Sequence, residues 1–307
     1  MHHTNTPTPS WFQIARPFNL LMVVICCVAV RFLWWLEYNS NWLPSIGLIL
    51  SAVLITAGGN ILNDYYDVRV DKLNRPNRPF IGSAIRRKKA IPIHVILTLL
   101  ACTIGMVMSF YHGFRAAIIP LLTGTCLWWY SPVLKKKFLI GNLVVACCVG
   151  ILPMWGTIDL WMASSFSEHA LPAFSTLTLT LCGFLLTLAR EIVKDLEDRP
   201  GDEQAGYTTL AIIWPLGRTK GFVYAILLMT WVCIIAFSIH MRLNDLVIGI
   251  AAILCGIPLI ISVKILRKAK EPLAFGKVSR WLKWSSLAGI VFMVINSMIQ
   301  QFAAILP

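Results

Sequence analysis

Nine stretches of about twenty mostly apolar residues decide what this chain can fold into. They lie near 17–36, 43–63, 91–111, 115–134, 138–157, 171–190, 219–240, 245–265 and 284–305. Each is long enough to cross the roughly 30 Å hydrocarbon core of a bilayer as a helix. Backbone polar groups find no water there, so only helices and closed barrels span it. A barrel is excluded, because these runs are too long and do not alternate between apolar and polar residues. Charged residues make up 13% of the sequence, about half the share of a soluble domain. The expected fold class is therefore all-α, a polytopic membrane protein of about nine transmembrane helices. We expect one domain over 1–307, with a short N-terminal segment at 1–15. The apolar segment 208–216 is too short to span. The first span lacks a small-residue cleavage site and ends in bulky Phe32, Trp34 and Trp35. It reads as a retained helix rather than a signal peptide.

The net charge of +13 invites a nucleic-acid reading, but its distribution argues against one. With the N-terminus inside, all 27 basic residues fall on inner segments except Arg31, Arg115 and Arg242. This is the positive-inside asymmetry of a membrane protein. It predicts a protein of the cell (inner) membrane with its N-terminus and acidic clusters in the cytoplasm. The nine cysteines all lie in predicted spans, with no CxxC pair. They read as small apolar residues in lipid or helix contacts. No histidine lies near an acidic cluster in sequence, which argues against a zinc site. Arg31, inside the first span, is expected to snorkel or to be paired.

Two acidic clusters share one spacing. Asn60, Asp64, Asp67 and Asp71 form the first; Glu191, Asp195, Asp198 and Asp202 form the second. Both read i, i+4, i+7, i+11, which places the side chains on one stripe of a helix. Asn63 lies just off the first stripe. Nine of the 14 acidic residues fall in these two short stretches. Such charge beside membrane spans must be compensated. Hard divalent cations with a polyphosphate substrate are the natural compensation, because Mg²⁺ binds through one or two carboxylates plus substrate phosphates.

Basic residues flank both clusters. Pro76 and Pro79 stop the first helix and stiffen a loop that can present Arg75 and Arg78 to a phosphate. Arg190 and Lys194, at i, i+4, share one flank of the second stripe. Pro200 and Gly201 are expected to bend the chain, so that Asp202 comes from a loop. Two facing acidic rows would hold metal ions that bridge to a diphosphate, with Arg and Lys taking the remaining charge. With an allylic diphosphate, neutralisation promotes C–O cleavage. Tyr65, Tyr66, Trp128, Trp129 and Tyr130 are candidates to shield the carbocation.

At these residues the chain resembles the UbiA superfamily of intramembrane prenyltransferases. Asn63, Asp64, Asp67 and Asp71 match its N-D-x-x-D-x-x-x-D motif, and Asp198 and Asp202 match its D-x-x-x-D motif. Arg16-Pro17-Phe18-Asn19, Tyr130 to Lys135 and Gly141-Asn142 resemble its other segments. The resemblance implies a helical fold around a central cavity and Mg²⁺-dependent prenyl transfer from a prenyl diphosphate to a lipophilic acceptor. It implies that Asp64, Asp67, Asp71, Asp198 and Asp202 hold metal, with Asn63 in support. Lys194, Arg78 and Lys135 would contact diphosphate, and Asp67 or Asp195 would help deprotonate the acceptor. The segments 71–79 and 190–198 look most like the geranylgeranylglyceryl-phosphate geranylgeranyltransferase branch. Tyr207 and Ala211 depart from that branch, where a basic residue and then T-L-P are expected.

Three other readings stay open at this point. Prenylation of 4-hydroxybenzoate or dihydroxynaphthoate would use similar motifs. A CDP-alcohol phosphotransferase would need a compact D-G-x-x-A-R motif, which is absent. A divalent-cation or organic-anion transporter would place acids at mid-span within an inverted repeat.

Overall fold

The structure, a computed structural model, describes residues 11–38, 42–74, 81, 86–158, 160, 170–240 and 245–305. Among these residues there are helices and turns and no β-strand. The principal helices are α1 (Pro17–Tyr38), α2 (Leu43–Asn74), α3 (Arg87–His112), α4 (Arg115–Tyr130) and α5 (Ile140–Gly150). They continue as α6 (Ala170–Gln204), α7 (Leu216–His240), α8 (Asp245–Lys268) and α9 (Pro272–Ile305). A π turn at Ala252–Gly256 interrupts α8.

Each predicted span falls on one of these helices, but the lengths differ from the expectation. Seven helices are long and apolar enough to cross a membrane: α1, α2, α3, α6, α7, α8 and α9. Helix α4 has 16 residues and α5 has 11, continued by the turn Leu152–Trp155. The count of nine full spans is therefore approximate. Helix α9 begins at Pro272, where the fixed proline φ suits a first helical turn, and not at 284. Helix α2 runs past 63 to Asn74, and α6 past 190 to Gln204. Both acidic clusters are thus helical along their whole length. Asp202 is a helix residue and does not come from a loop.

The helix survives Pro200 because another segment attends to the disturbed turn. Asn74 Nδ2 donates to the Asp198 carbonyl at 2.9 Å, and the Gly201 N–H donates to Asn74 Oδ1 at 2.9 Å. Proline removes one intrahelical donor and crowds the preceding turn. The Asn74 amide satisfies both a carbonyl and an N–H beside it.

Helix α6 is the centre of the bundle and packs against α1, α2, α5, α7 and α9. Its Leu185, Ile192 and Leu196 join Val223 of α7, Leu259 of α8 and Val278 of α9 in one buried cluster. Lipid is as apolar as leucine, so close packing rather than water exclusion joins such helices. Gly150 on α5 illustrates this. A Cβ there would stand 2.9 Å from Phe184 Cβ and 3.2 Å from the Thr180 carbonyl. A polar tie adds to it: Trp34 Nε1 of α1 donates to Thr176 Oγ1 of α6 at 3.0 Å. Arg31 is 1% exposed, which excludes the snorkelling alternative. The nine cysteines are all free thiols.

Replacing Gly150 by Val should push α5 from α6 and destabilise the protein by about 1–3 kcal/mol. Gly221 of α7 has open space around its Cβ position. Gly221→Ala should be neutral or stabilising by up to about 1 kcal/mol. Thermal unfolding of both variants in detergent checks the contrast; equal midpoints would refute it.

Candidate active site

A cavity of about 280 Å³ lies between α1, α2, α4, α5, α6 and α9. Its lining on α6 runs from Lys194 down to Leu179, a depth of roughly 20 Å at 1.5 Å per residue. The stem is apolar, with Val23, Ile55, Leu127, Val149, Leu186 and Ile290 on its walls. The head is polar and strongly basic. Arg16, Arg190, Lys194 and Lys283 line it, with Glu191 as the one lining carboxylate among the described residues.

The residues around the head are fixed by contacts between segments. Asn60 lines the cavity, and its Nδ2 donates to the Ala15 carbonyl at 2.8 Å. Arg16 follows with φ of 58°, a left-handed conformation that costs a non-glycine residue about 1–3 kcal/mol. The outcome is an Arg16 guanidinium aimed at Asp64, with Nη2–Oδ1 of 2.5 Å. Burial works against that charge, but Asp64, with Asp67 and Asp71 beyond it, holds it more firmly protonated than an ordinary arginine.

Lys135 reaches Asp67 from the short 3₁₀ turn Leu134–Lys136 between α4 and α5. Asn63 Nδ2 donates to the same carboxylate at 2.7 Å. Burial would lower the Lys135 ammonium, yet Asp67, with Tyr130 and Asp202 nearby, raises it above its usual value. Gly141 lets this turn lie close on α5, since a Cβ there would stand 2.7 Å from Lys135 Cα. Leu139, at φ 57°, makes the left-handed step into α5. Thr208 latches the same turn through its N–H and Oγ1, both donating to the Lys136 carbonyl at 2.9 and 3.0 Å.

On α6, Glu191 accepts from Arg190 Nη1 at 2.6 Å and from Lys194 Nζ at 3.0 Å. Asp195 accepts from Asn142 Nδ2 of α5 at 2.8 Å. Of the predicted site residues, Asn60, Asn63, Arg190 and Lys194 line the cavity. Asp64, Asp67, Asp71, Asp195, Asp198, Asp202 and Lys135 are not among its lining residues and gather around the ends of α2 and α6. Arg75 and Arg78 lie outside the described residues. Of the aromatic candidates, Tyr130 lines the cavity. Trp128 stacks on His94, Tyr65 packs edge-on to Tyr66, and Tyr66, Trp128 and Trp129 are exposed.

Sequence reading missed four residues. Asn74 clips the ends of α2 and α6 together, and Asn142 holds Asp195. Lys283 had counted only as an inner basic residue. The other three had a signal, since Arg16, Asn74 and Asn142 stand in segments that resemble the family.

No three His, Cys, Asp or Glu side chains among the described residues converge on one metal position. The donor set is nonetheless carboxylate and amide oxygen, which suits a hard cation. Mg²⁺ needs only one or two protein carboxylates when substrate phosphates complete its shell. The residues fit that ion.

The profile of the UbiA prenyltransferase family matches residues 22–299. The chain belongs to this family. A Methanosphaera stadtmanae protein named digeranylgeranylglyceryl phosphate synthase is 29% identical over 289 residues, covering 94% of this chain and 99% of the relative. One from Saccharolobus solfataricus with the same name is 31% identical over 295 residues, covering 94% and 97%. Solved structures share the UbiA fold. One described as concerning digeranylgeranylglyceryl phosphate synthase in membranes has a TM-score of 0.69 at 23% identity, covering 94% and 97%. A UbiA homologue from Archaeoglobus fulgidus bound to DMAPP and Mg²⁺ has a TM-score of 0.61 at 16% identity, covering 92% and 99%. This UbiA-family chain is thus a multi-pass integral membrane protein, as its composition and motifs led us to expect. Its two acidic clusters lie toward the C-terminal ends of α2 and α6, not at mid-span where a transporter would need them.

The Asn74 clip predicts a coupled pair. Gly201→Ala would place a Cβ 2.7 Å from Asn74 Oδ1 and should destabilise the protein. Asn74→Ala should cost about 1–3 kcal/mol by leaving two backbone groups unpaired. In the Asn74→Ala background, Gly201→Ala should be nearly neutral. A double-mutant cycle on thermal unfolding measures this, and simple additivity would refute the clip.

Proposed function

We propose that this UbiA-family protein transfers a prenyl group, in a Mg²⁺-dependent reaction, from a prenyl diphosphate to geranylgeranylglyceryl phosphate. The observation that carries the reading is the cavity: an apolar stem with a basic head that adjoins two acidic helices. The names of the curated relatives support the acceptor. The solved homologue carrying DMAPP and Mg²⁺ supports the donor and the ion. One domain spans 1–307, and the N-terminus and site loops face the cytoplasm from the cell membrane.

In this reading Asp64, Asp67, Asp71, Asp198 and Asp202 hold Mg²⁺, with Asn63 orienting Asp67. The bound ion supplies charge neutralisation to the leaving diphosphate. Lys135, Arg190 and Lys194 take the remaining phosphate charge, with Arg75 and Arg78 from the following loop. Asn60 contributes at the head by fixing Arg16. The allylic C–O bond to diphosphate breaks and a C–O bond to the acceptor hydroxyl forms. The hydroxyl proton must then go to a base. Of Asp67 and Asp195, Asp195 is the freer, because its partner Asn142 is neutral whereas Asp67 faces Lys135. Tyr130 stands at the head to shield the developing cation.

Asp64→Ala or Asp198→Ala should abolish Mg²⁺-dependent transfer while membrane insertion is kept; wild-type turnover in either would sink the metal assignment. Lys194→Ala should raise the KM for prenyl diphosphate about tenfold and leave the acceptor KM nearly unchanged. The assay offers geranylgeranylglyceryl phosphate, 4-hydroxybenzoate and dihydroxynaphthoate separately with radiolabelled geranylgeranyl diphosphate. Label moving only to an aromatic acceptor would overturn the proposed acceptor.

A further inference from the structure

The reading above brings two phosphorylated substrates to one cavity, yet the acidic motifs account for only one of them. Lys283 of α9 has no part in either motif. Its Nζ donates to Asn19 Oδ1 of α1 at 2.5 Å and sits 4.1 Å from the centre of the Phe18 ring. Both partners are neutral. Among the described residues Lys283 has no carboxylate within salt-bridge distance. Arg190, Arg16 and Lys194, all cations, line the head with it. An ammonium half-buried among like charges is unfavourable unless an anion joins it.

The charges at the head show how much anion is needed. Four cations line it. Glu191 lies between Arg190 and Lys194, and Asp64 pairs with Arg16. About two positive charges remain uncompensated. A phosphomonoester carries about −1.5 to −2 at neutral pH. Arg190 also keeps a buried Nε with no hydrogen-bond partner, a donor still to be used.

We propose that Lys283, with Asn19 holding it in place and Arg190 shared with the donor site, is the seat for the phosphomonoester of the acceptor lipid. This rests on the acceptor reading above. The donor diphosphate belongs to the ends of α2 and α6 with their metal ligands. The acceptor phosphate belongs to the wall made by α1 and α9, and its isoprenoid chain runs into the stem shared by both substrates. Lys283 is a binding and specificity residue for a phosphate-headed isoprenoid ether lipid.

The test compares wild type, Lys283→Met and Lys283→Arg as full chains in detergent. Equilibrium binding of radiolabelled geranylgeranylglyceryl phosphate is measured in EDTA, with geranylgeranylglycerol as the phosphate-free probe. Lys283→Met should weaken the phosphorylated lipid about tenfold or more and leave the neutral lipid within about twofold. Lys283→Arg should recover most of the loss. Equal loss for both lipids would show a merely structural role and overturn the proposal. So would wild-type protein that binds the two lipids equally, or Lys283→Met that binds as wild type does. The transfer assay is read separately. Wild type that binds the phosphorylated lipid through Lys283 but never prenylates it would overturn the acceptor reading and keep the seat.

Discussion

Carboxylates at the edge of an apolar bundle need cations, and here those cations come from other segments of the chain. Asp64 takes Arg16 from the residue before α1, and Asp67 takes Lys135 from the turn between α4 and α5. Removing one partner of a half-buried pair leaves an uncompensated charge, which is far more costly than the pair itself is stabilising. These contacts therefore fix where the N-terminal residues and the Lys135 turn lie. Positioning of the site and positioning of the helices are one problem with one solution. The left-handed backbone at Arg16 is tolerated for the same reason: it is held on both sides, by Asn60 on the Ala15 carbonyl and by Asp64 on the guanidinium.

Neutral amides do a different task. Asn74 and Asn142 carry no charge, so they join elements without altering the electrostatic balance at the head. Asn74 ties the end of α2 to the Pro200 turn of α6, and Asn142 ties α5 to Asp195. A cation at either place would compete with a metal for the carboxylates. An apolar residue at Asn74 would leave backbone groups of a proline-disturbed turn unsatisfied. The arrangement thus places cations where charge must be neutralised and amides where only geometry must be held.

The membrane architecture was legible because backbone satisfaction in lipid leaves few choices, and twenty apolar residues are hard to misread. The acidic stripes were legible because a helix period maps spacing onto a face. What could not be read were contacts between segments far apart in sequence. Lys283 looked like one more inner basic residue, since a topology signal and a cavity cation are both lysines near a span end. Pro200-Gly201 looked like a helix end, because local propensity knows nothing of Asn74, 127 positions away. Trp128 and Trp129 are one helix turn from Tyr130 or less, yet the direction of α4 turns them outward. Register within the bundle, not residue type, selects which aromatic reaches the cavity.

Two anions in one small chamber repel each other, at an effective dielectric near 20 by about 2 kcal/mol per pair of unit charges 8 Å apart. If hard cations served both, an acceptor phosphate would compete with the donor for the same metal ions. Basic side chains avoid that competition. A lysine or arginine binds a phosphate without requiring a second hard-metal shell. The acidic helix ends are suited to the anion that arrives with metal, and Lys283 of α9 to one that arrives without it. The cations themselves differ in this way: Lys135 and Arg16 are held by aspartates, whereas Lys283, which lines the cavity, is held by a neutral amide.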